Sequence, residues 1–189
     1  MRSPTSVDMK SEIRTIGFDD SPHTRADGRV PVVGVHMRGA SQVEGILATD
    51  VQRDGSDATA QVARCVREAG LRGTKAILLD GASFAGFNVV DLDGLAEETG
   101  TPCIAFTKGE PDYAAMRRAL QNVPDPEAKW ALISGRRTLR LPTATSPLVV
   151  SYAGDVDPQQ VAAILAATTA RGLVPEPLRV AHLVASVLR

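Results

Sequence analysis

The stretch RTIGFDDSPH, residues 14–23, ends an alternating run on two adjacent carboxylates, Asp19 and Asp20. Ile16 and Phe18 fall on one side of a predicted strand, and Asp19 falls on the other. Like charges repel each other, so this pair either caps a turn in water or holds a positive group. The surrounding sequence has to decide which role these two carboxylates have.

The composition is that of one globular domain. The chain has 189 residues, 43% of them hydrophobic, and 21 Lys and Arg against 22 Asp and Glu. This balance excludes an overall basic nucleic-acid-binding protein but allows a local basic face. Two cysteines, Cys65 and Cys103, predict buried reduced thiols in a cytoplasmic protein rather than a disulfide framework. No apolar run reaches the ~18 residues of a membrane span, so no membrane contact is expected.

The order of elements predicts an α/β fold of the ribonuclease H-like type, in which a mixed central sheet carries helices on both faces. Three strands come first, and helices then alternate with strands. Strands are predicted over residues 12–19, 30–39, 42–52, 75–80, 102–108, 136–142 and 146–154. Helices are predicted over residues 58–70, 91–100, 110–123, 125–134, 157–172 and 176–189. Residues 1–12 are expected to be a flexible tail, and residues 13–189 a single domain.

Three carboxylates stand at the ends of these elements. Asp19 ends the first strand, Asp57 opens the first helix and Asp80 ends strand 75–80. Parallel strands end at one edge of a sheet, so these acids are expected to converge there, and Mg²⁺ or Mn²⁺ would relieve their repulsion. The plainer alternatives are that Asp57 is only a helix cap and that Asp80 with Gly81 is only a turn.

The end of the next strand places Lys108 at the same predicted edge. It could orient a water or stabilise charge on a phosphate, or it could be a solvated surface lysine. The loop GASFAGFNVV follows Asp80, and its small residues allow close backbone approach. Phe84 and Phe87 in this loop would either wall a pocket for a base or anchor the loop in the core.

Three of these segments resemble endonuclease V. They are IGFDD, ILLDGASFAGFNVVDLDGLAEETGTPCIAFTK, and GLVPEPLRVAHLVAS, where that family reads Leu-Pro-Glu-Pro, then Arg, then Ala-Asp. Together with DGSDAT, the same segments are similar to a mainly archaeal family of about this length that is related to endonuclease V. Members of that family are associated with deoxyuridine or similar lesions.

The resemblance implies roles for individual residues. Asp19 and Asp80 match metal ligands for Mg²⁺ or Mn²⁺, and Lys108 matches the catalytic lysine. Asp57 is the counterpart of the second acid, with Asp50 and Asp54 as nearby alternatives. Asp20 and Glu176 are expected to support the metal site without binding the ion. The alternatives are that Asp20 only forms a turn and that Glu176 only pairs with Arg179. The residues expected to contact a flipped base are Gly81, Ser83, Phe84 and Asn88.

Two functions are therefore expected. The first is a metal-dependent endonuclease that cleaves DNA, or RNA, near deaminated bases such as deoxyuridine and deoxyinosine. The second is a non-catalytic protein that binds nucleic acid or a nucleotide, because the Pro-Tyr-x-Pro wedge of endonuclease V is absent from GILATDVQRDGSD. Candidate phosphate contacts are Arg72, Arg117, Arg118, Arg136, Arg137 and Arg140. Oligomeric state is left open.

Overall fold

A computed structural model describes residues 12–143 and 147–188 of the chain. The tail expected over residues 1–12 lies outside the described residues except for Glu12. The strands are β1 (Arg14–Asp20), β2 (Arg29–Arg38), β3 (Gln42–Gln52), β4 (Thr74–Asp80), β5 (Ser83–Phe84), β6 (Asn88–Val89), β7 (Cys103–Lys108), β8 (Arg137–Leu141) and β9 (Leu148–Ala153). The helices are α1 (Ala58–Ala69), α2 (Leu92–Thr99), α3 (Tyr113–Leu120), α4 (Pro126–Ser134), α5 (Pro158–Thr168) and α6 (Glu176–Ala185).

The main sheet has seven strands in the order β3-β2-β1-β4-β7-β9-β8. Strand β1 runs parallel to β4, and β4 runs parallel to β7, while the outer pairs are antiparallel. The three parallel strands therefore end at one edge of the sheet, as the predicted order requires. Asp19, Asp80 and Lys108 all stand at that edge.

Both faces of the sheet are covered. One core cluster joins the sheet to Val62 of α1 and Leu95 of α2. A second cluster joins the other face to Ile164 of α5 and Leu178 of α6. The mixed sheet with helices on both faces confirms the predicted α/β class, and in α1 the apolar spacing explains which side is buried.

A two-stranded hairpin follows β4, in a stretch that was expected to be a loop. Its strands, β5 and β6, pair Ser83 with Val89 and Phe84 with Asn88. Such short strands carry too few residues for a recognisable alternation. Phe84 is fully buried in the main core cluster, so it anchors the hairpin to the sheet.

Helix α6 lies directly against β1 because residue 17 has no side chain. A Cβ atom built on Gly17 would stand 2.7 Å from the backbone nitrogen of Leu178 and 2.7 Å from the carbonyl oxygen of Pro177. Carbon atoms do not pack this closely against backbone, so only glycine allows the start of α6 to rest here. The close approach fixes the position of the whole helix above β1.

Both cysteines, Cys65 and Cys103, are buried and free, as expected from the composition. Burial raises the pKa of each thiol, which leaves both protonated and unreactive near neutral pH. Within residues 12–143 and 147–188, no helix has the length and apolar character needed to cross a membrane.

We predict that Gly17→Ala destabilises the protein by ~1–3 kcal/mol, because the added methyl group has to displace the backbone of α6. Chemical denaturation of the two proteins measures the difference. Gly45→Ala is the matched control, since a Cβ there meets nothing within 4 Å. Equal stability of the Gly17→Ala variant and the wild type would contradict the close contact.

Candidate metal-binding site

Asp19 is the buried centre of the site. It occupies the penultimate position of β1 and is 6% exposed. Asp20 donates its backbone N–H to Asp19 Oδ1 over 2.9 Å, and His182 Nδ1 lies 2.8 Å from Asp19 Oδ2. Both oxygens are thus engaged, and the carboxylate is held in one orientation at the edge of the sheet.

Two more side chains converge on Asp19. Asp80, at the end of β4, is half-buried, and His182, on α6, is exposed. Each of the three residues offers one ligand atom, and these atoms all lie within 4.8 Å of one another. Two carboxylate oxygens and an imidazole nitrogen at such distances are a donor set that can hold a divalent cation.

The electrostatics of the site also suit a cation. Burial is the main cause that raises the pKa of Asp19 to about 6; the charges of Asp80 and Asp20 act in the same direction, and the hydrogen bond with His182 opposes them. The negative charge on Asp19 is therefore costly near neutral pH. A cation between Asp19 and Asp80 would offset both the burial and the repulsion.

Asp57, expected to be the third metal-binding acid, is not among the side chains that converge here. Its Oδ1 accepts the backbone N–H of Gln52 over 3.0 Å and the amide of Asn88 over 2.6 Å, and its Oδ2 lies 3.4 Å from Arg29. These donors hold the carboxylate at the junction of β3 and α1 instead. Its side chain makes no capping hydrogen bond to α1 either.

Asn88 and Phe84, expected to touch a base, are structural in this fold. Asn88 is fully buried; its Oδ1 accepts the backbone N–H of Ala58 over 2.9 Å, and its amide also donates to the Gln52 carbonyl. Asn88 thereby caps α1, the role that the sequence suggested for Asp57. Phe84 fills the core beneath the hairpin, so neither side chain is available to a substrate.

Asp20 and Glu176, both expected to support the metal site, have hydrogen-bond partners within the protein. Asp20 Oδ2 accepts the backbone N–H of Ala85 over 2.9 Å, which ties the hairpin loop to the end of β1. Glu176 is buried and accepts two hydrogen bonds from Arg179, at 2.9 and 2.7 Å. The contacts of Glu176 are those of the pairing alternative, at the start of α6.

The remaining expected residues lie beside Asp80. Strand β7 ends at Lys108 on the same edge, and its side chain is outside the described part of the structure. Gly81 donates its backbone N–H to the Phe106 carbonyl, which sets the direction of the chain after β4. Gly81 and Ser83 line a cavity of about 160 Å³.

His182 is the site residue that sequence reasoning missed. It lies 163 residues from Asp19 in the chain, and only the packing of α6 on β1 joins them. One signal was present: in the segment GLVPEPLRVAHLVAS, His182 stands where the endonuclease V motif has the Asp of Ala-Asp. A residue that replaces a carboxylate and can also ligate a metal was a candidate by its chemistry.

The arginines proposed as phosphate contacts differ in their availability. Arg117 lies 3.2 Å from Glu127 and stacks over Trp130, and Arg140 lies 2.7 Å from Glu110. Exposed pairs such as these are weak and leave the guanidinium able to exchange partners. Arg136, in contrast, is only partly exposed, and it donates hydrogen bonds to the Ala82 and Val90 carbonyls.

Solved structures with the same architecture include nucleases. A protein of unknown function from Archaeoglobus fulgidus has a TM-score of 0.81 at 29% identity, covering 92% of this chain and 96% of that one. Endonuclease V of Ciona intestinalis, solved with DNA containing an inosine followed by a ribo-adenosine, has a TM-score of 0.56 at 17% identity, covering 90% and 82%. The fold is thus the endonuclease V-like variant of a mixed α/β sheet.

The chain belongs to the Endonuclease dU family, whose model matches residues 11–189. A UPF0215 protein of Methanothermobacter thermautotrophicus is 39% identical over 181 residues, which covers 94% of this chain and 88% of the relative. A UPF0215 protein of Pyrococcus furiosus is 38% identical over 186 residues, covering 95% and 94%. This is the archaeal, endonuclease V-related family expected from the sequence, and its description supports a nuclease-like function.

We predict that Asp19→Asn raises the melting temperature of the metal-free protein at pH 7.5, because it removes a buried charge that Asp80 and Asp20 repel. Each kcal/mol gained in this way should raise the melting temperature by ~2–4 °C. The folded-state pKa of Asp19 lies above its ordinary value, so wild-type stability rises as the pH falls through about 6. The advantage of the variant should therefore shrink between pH 7 and pH 4. Thermal melts in EDTA measure it.

Asp93→Asn, at an exposed acid on α2, is the control for the loss of a charge. It should show no comparable gain at pH 7.5. A wild-type protein that is more stable than Asp19→Asn at pH 7.5 in EDTA would contradict the electrostatic cost assigned to Asp19.

A further prediction separates Asp57 from the metal ligands. Asp57→Ala should lower the free energy of unfolding by ~1–3 kcal/mol, because it leaves the amide of Asn88 and the N–H of Gln52 without their acceptor. It should keep the stabilisation by added Mn²⁺, which is ~2.7 kcal/mol when the metal is a hundredfold above its Kd. Thermal shifts with and without Mn²⁺ measure both effects. If Asp57→Ala were as stable as the wild type in EDTA but were no longer stabilised by Mn²⁺, Asp57 would be a metal ligand.

Proposed function

We propose that this protein is a divalent-metal-dependent endonuclease that cleaves DNA near deaminated bases, with deoxyuridine and deoxyinosine as the candidate lesions. The observation that carries the proposal is the convergence of Asp19, Asp80 and His182 within 4.8 Å at the carboxyl edge of the sheet. Family membership supports nuclease chemistry, and the Ciona relative was solved with inosine-containing DNA. A cytoplasmic location accords with a repair role and stays a prediction.

In this proposal Asp19, Asp80 and His182 hold Mg²⁺ or Mn²⁺. The imidazole favours Mn²⁺ more than an all-oxygen set would. The bound cation would supply a water of lowered pKa and neutralise charge on the phosphate. Other groups of the protein would hold these ligands in position. Asp20 fixes the orientation of Asp19 through its N–H, and the Glu176–Arg179 pair stabilises the start of the helix that carries His182.

Lys108 is proposed to stabilise negative charge on the scissile phosphate. Its position supports this role: Lys108 ends β7, which runs parallel to β4. Asp80 pairs with Phe106, two residues before Lys108. A lysine ammonium near the phosphate would act in the transition state, where that charge grows. Gly81 and Ser83 are proposed to border the site for the base.

The second candidate is a protein that binds nucleic acid without cutting it. One observation favours it: with Asp57 held by Asn88 and Gln52, two carboxylates rather than three face the cation. Fewer carboxylates leave more open positions and a weaker hold on the metal. Binding without cleavage in the following experiment would establish this alternative.

The deciding experiment uses labelled oligonucleotides that contain deoxyuridine, deoxyinosine or no lesion, with an RNA of the same sequence for comparison. We predict cleavage of a lesion strand with Mn²⁺ or Mg²⁺ and none in EDTA. Asp80→Asn should reduce the rate by at least ~100-fold, more than the ~10–100-fold typical of residues behind the ligands. Denaturing gels measure the rates.

Asp93→Asn is the matched control, because it removes one exposed carboxylate of α2 and should leave the cleavage rate unchanged. The folded state of Asp80→Asn is verified by its melting temperature, which should equal or exceed that of the wild type. Full activity of Asp80→Asn on the best lesion strand would remove Asp80 from the catalytic site. Lesion binding with no cleavage under either metal would refute the endonuclease proposal.

A further inference from the structure

A cavity of about 160 Å³ is lined by the residues that follow Asp80 in the chain, from Gly81 to Ser83. It is enclosed by the loop after β4, by β7 and β9, and by α3 and α4. Its lining is mainly apolar with a few polar groups, among them Ser83, Thr107, Tyr113, Arg136 and Ser151. Small-molecule sites usually measure ~300–1,000 Å³, so this space suits one ring system rather than a whole nucleotide.

Arg136 is the one cation among the described residues that line this cavity. Its Nη2 donates to the Ala82 carbonyl over 3.0 Å and to the Val90 carbonyl over 3.1 Å. Its Nε is buried and has no hydrogen-bond partner within the described ranges. Burial lowers the pKa of the guanidinium to about 10, so it stays charged at neutral pH. A charged group enclosed with a spare donor is typical of a ligand-binding site.

The chemistry of deamination matches such a group. Cytosine and adenine present an exocyclic amino group, which donates hydrogen bonds, and deamination replaces that group with a carbonyl oxygen, which accepts them. A guanidinium can only donate. A parent base that entered the cavity would therefore bring its amino group against N–H donors, whereas a deaminated base would bring an acceptor.

We propose that this cavity receives the deaminated base and that Arg136 selects it by donating a hydrogen bond to the carbonyl oxygen created by deamination. The inference rests on the proposed function and adds a specificity-determining residue to it. The place of the cavity supports it, since Gly81 both lines the cavity and follows Asp80 directly. A base in the cavity would thus leave its own phosphate close to the acids, and the small volume favours uracil over the larger hypoxanthine.

The plainer role for Arg136 is mechanical. Its bonds to Ala82 and Val90 tie both ends of the hairpin segment to the turn before β8. A purely mechanical tether would affect all substrates alike, because it would displace Asp80 and the loop whatever base is offered. Selectivity between bases, rather than rate, therefore separates the two roles.

The test is equilibrium binding of fluorescent single strands that differ at one position, which holds deoxyuridine, deoxyinosine, deoxycytidine or an abasic site. Ca²⁺ replaces Mg²⁺ so that affinity is measured apart from cleavage. The wild type should bind the deoxyuridine strand about 5- to 150-fold more tightly than the deoxycytidine strand, the range expected for one good base contact. Arg136→Gln should bring that ratio close to one, since an amide can accept from an amino group as well as donate.

Two further variants keep the test decisive if Arg136→Gln is poorly folded. Ser151→Val fills part of the cavity without touching the guanidinium, so it should weaken binding of the deoxyuridine strand and leave abasic-strand binding unchanged. Arg171→Gln is the matched control, because Arg171 is exposed and does not line the cavity. It should keep the wild-type ratio.

Each outcome bears on a definite claim. A wild type without base preference, or an Arg136→Gln variant that keeps the preference, would overturn the role of Arg136. If Ser151→Val weakened binding of the deoxyuridine strand and the abasic strand equally, the cavity would be overturned as the base site. A preference that depends on Arg136 in a protein that never cleaves with Mg²⁺ or Mn²⁺ would support the cavity and refute the endonuclease proposal alone.

Discussion

The contact between the start of α6 and the bare backbone of Gly17 is the constraint on which the candidate site depends. A side chain at this position would overlap Pro177 and Leu178, so the helix could not rest on β1. With the helix in place, His182, about one turn beyond Leu178, comes within 2.8 Å of Asp19. Two residues at opposite ends of the chain thus meet through a glycine that carries no chemistry itself.

The same packing makes the site electrostatically expensive. Covering β1 buries Asp19 beside Asp80 and Asp20, which raises its pKa to about 6. The protein limits this cost with the Asp20 N–H and the imidazole, and the proposed cation would offset the remainder. A costly buried charge of this kind is common at functional sites.

Much of the fold could be predicted from the sequence because periodicity reports burial. Helix α1 and strand β4 were predicted within one residue of their observed ends, since Val62 and its neighbours repeat at helical spacing and the strand is continuously apolar. The hairpin β5–β6 escaped because it is too short for a pattern.

At the site, Asp19 and Asp80 were predictable from the rule that parallel strands end together. The hydrogen bond that holds Asp57 to Asn88, 31 residues away, could not be predicted, because no local signal reports such a bond. His182 was missed because its meeting with Asp19 is a property of tertiary packing, and its place in the motif was the one signal in the sequence. The most direct measurement of the central claim is an anomalous difference map from a crystal grown with Mn²⁺. We predict one peak in contact with Asp19, Asp80 and His182. A peak held by Asp57 without His182 would contradict the claim that these three residues hold the cation.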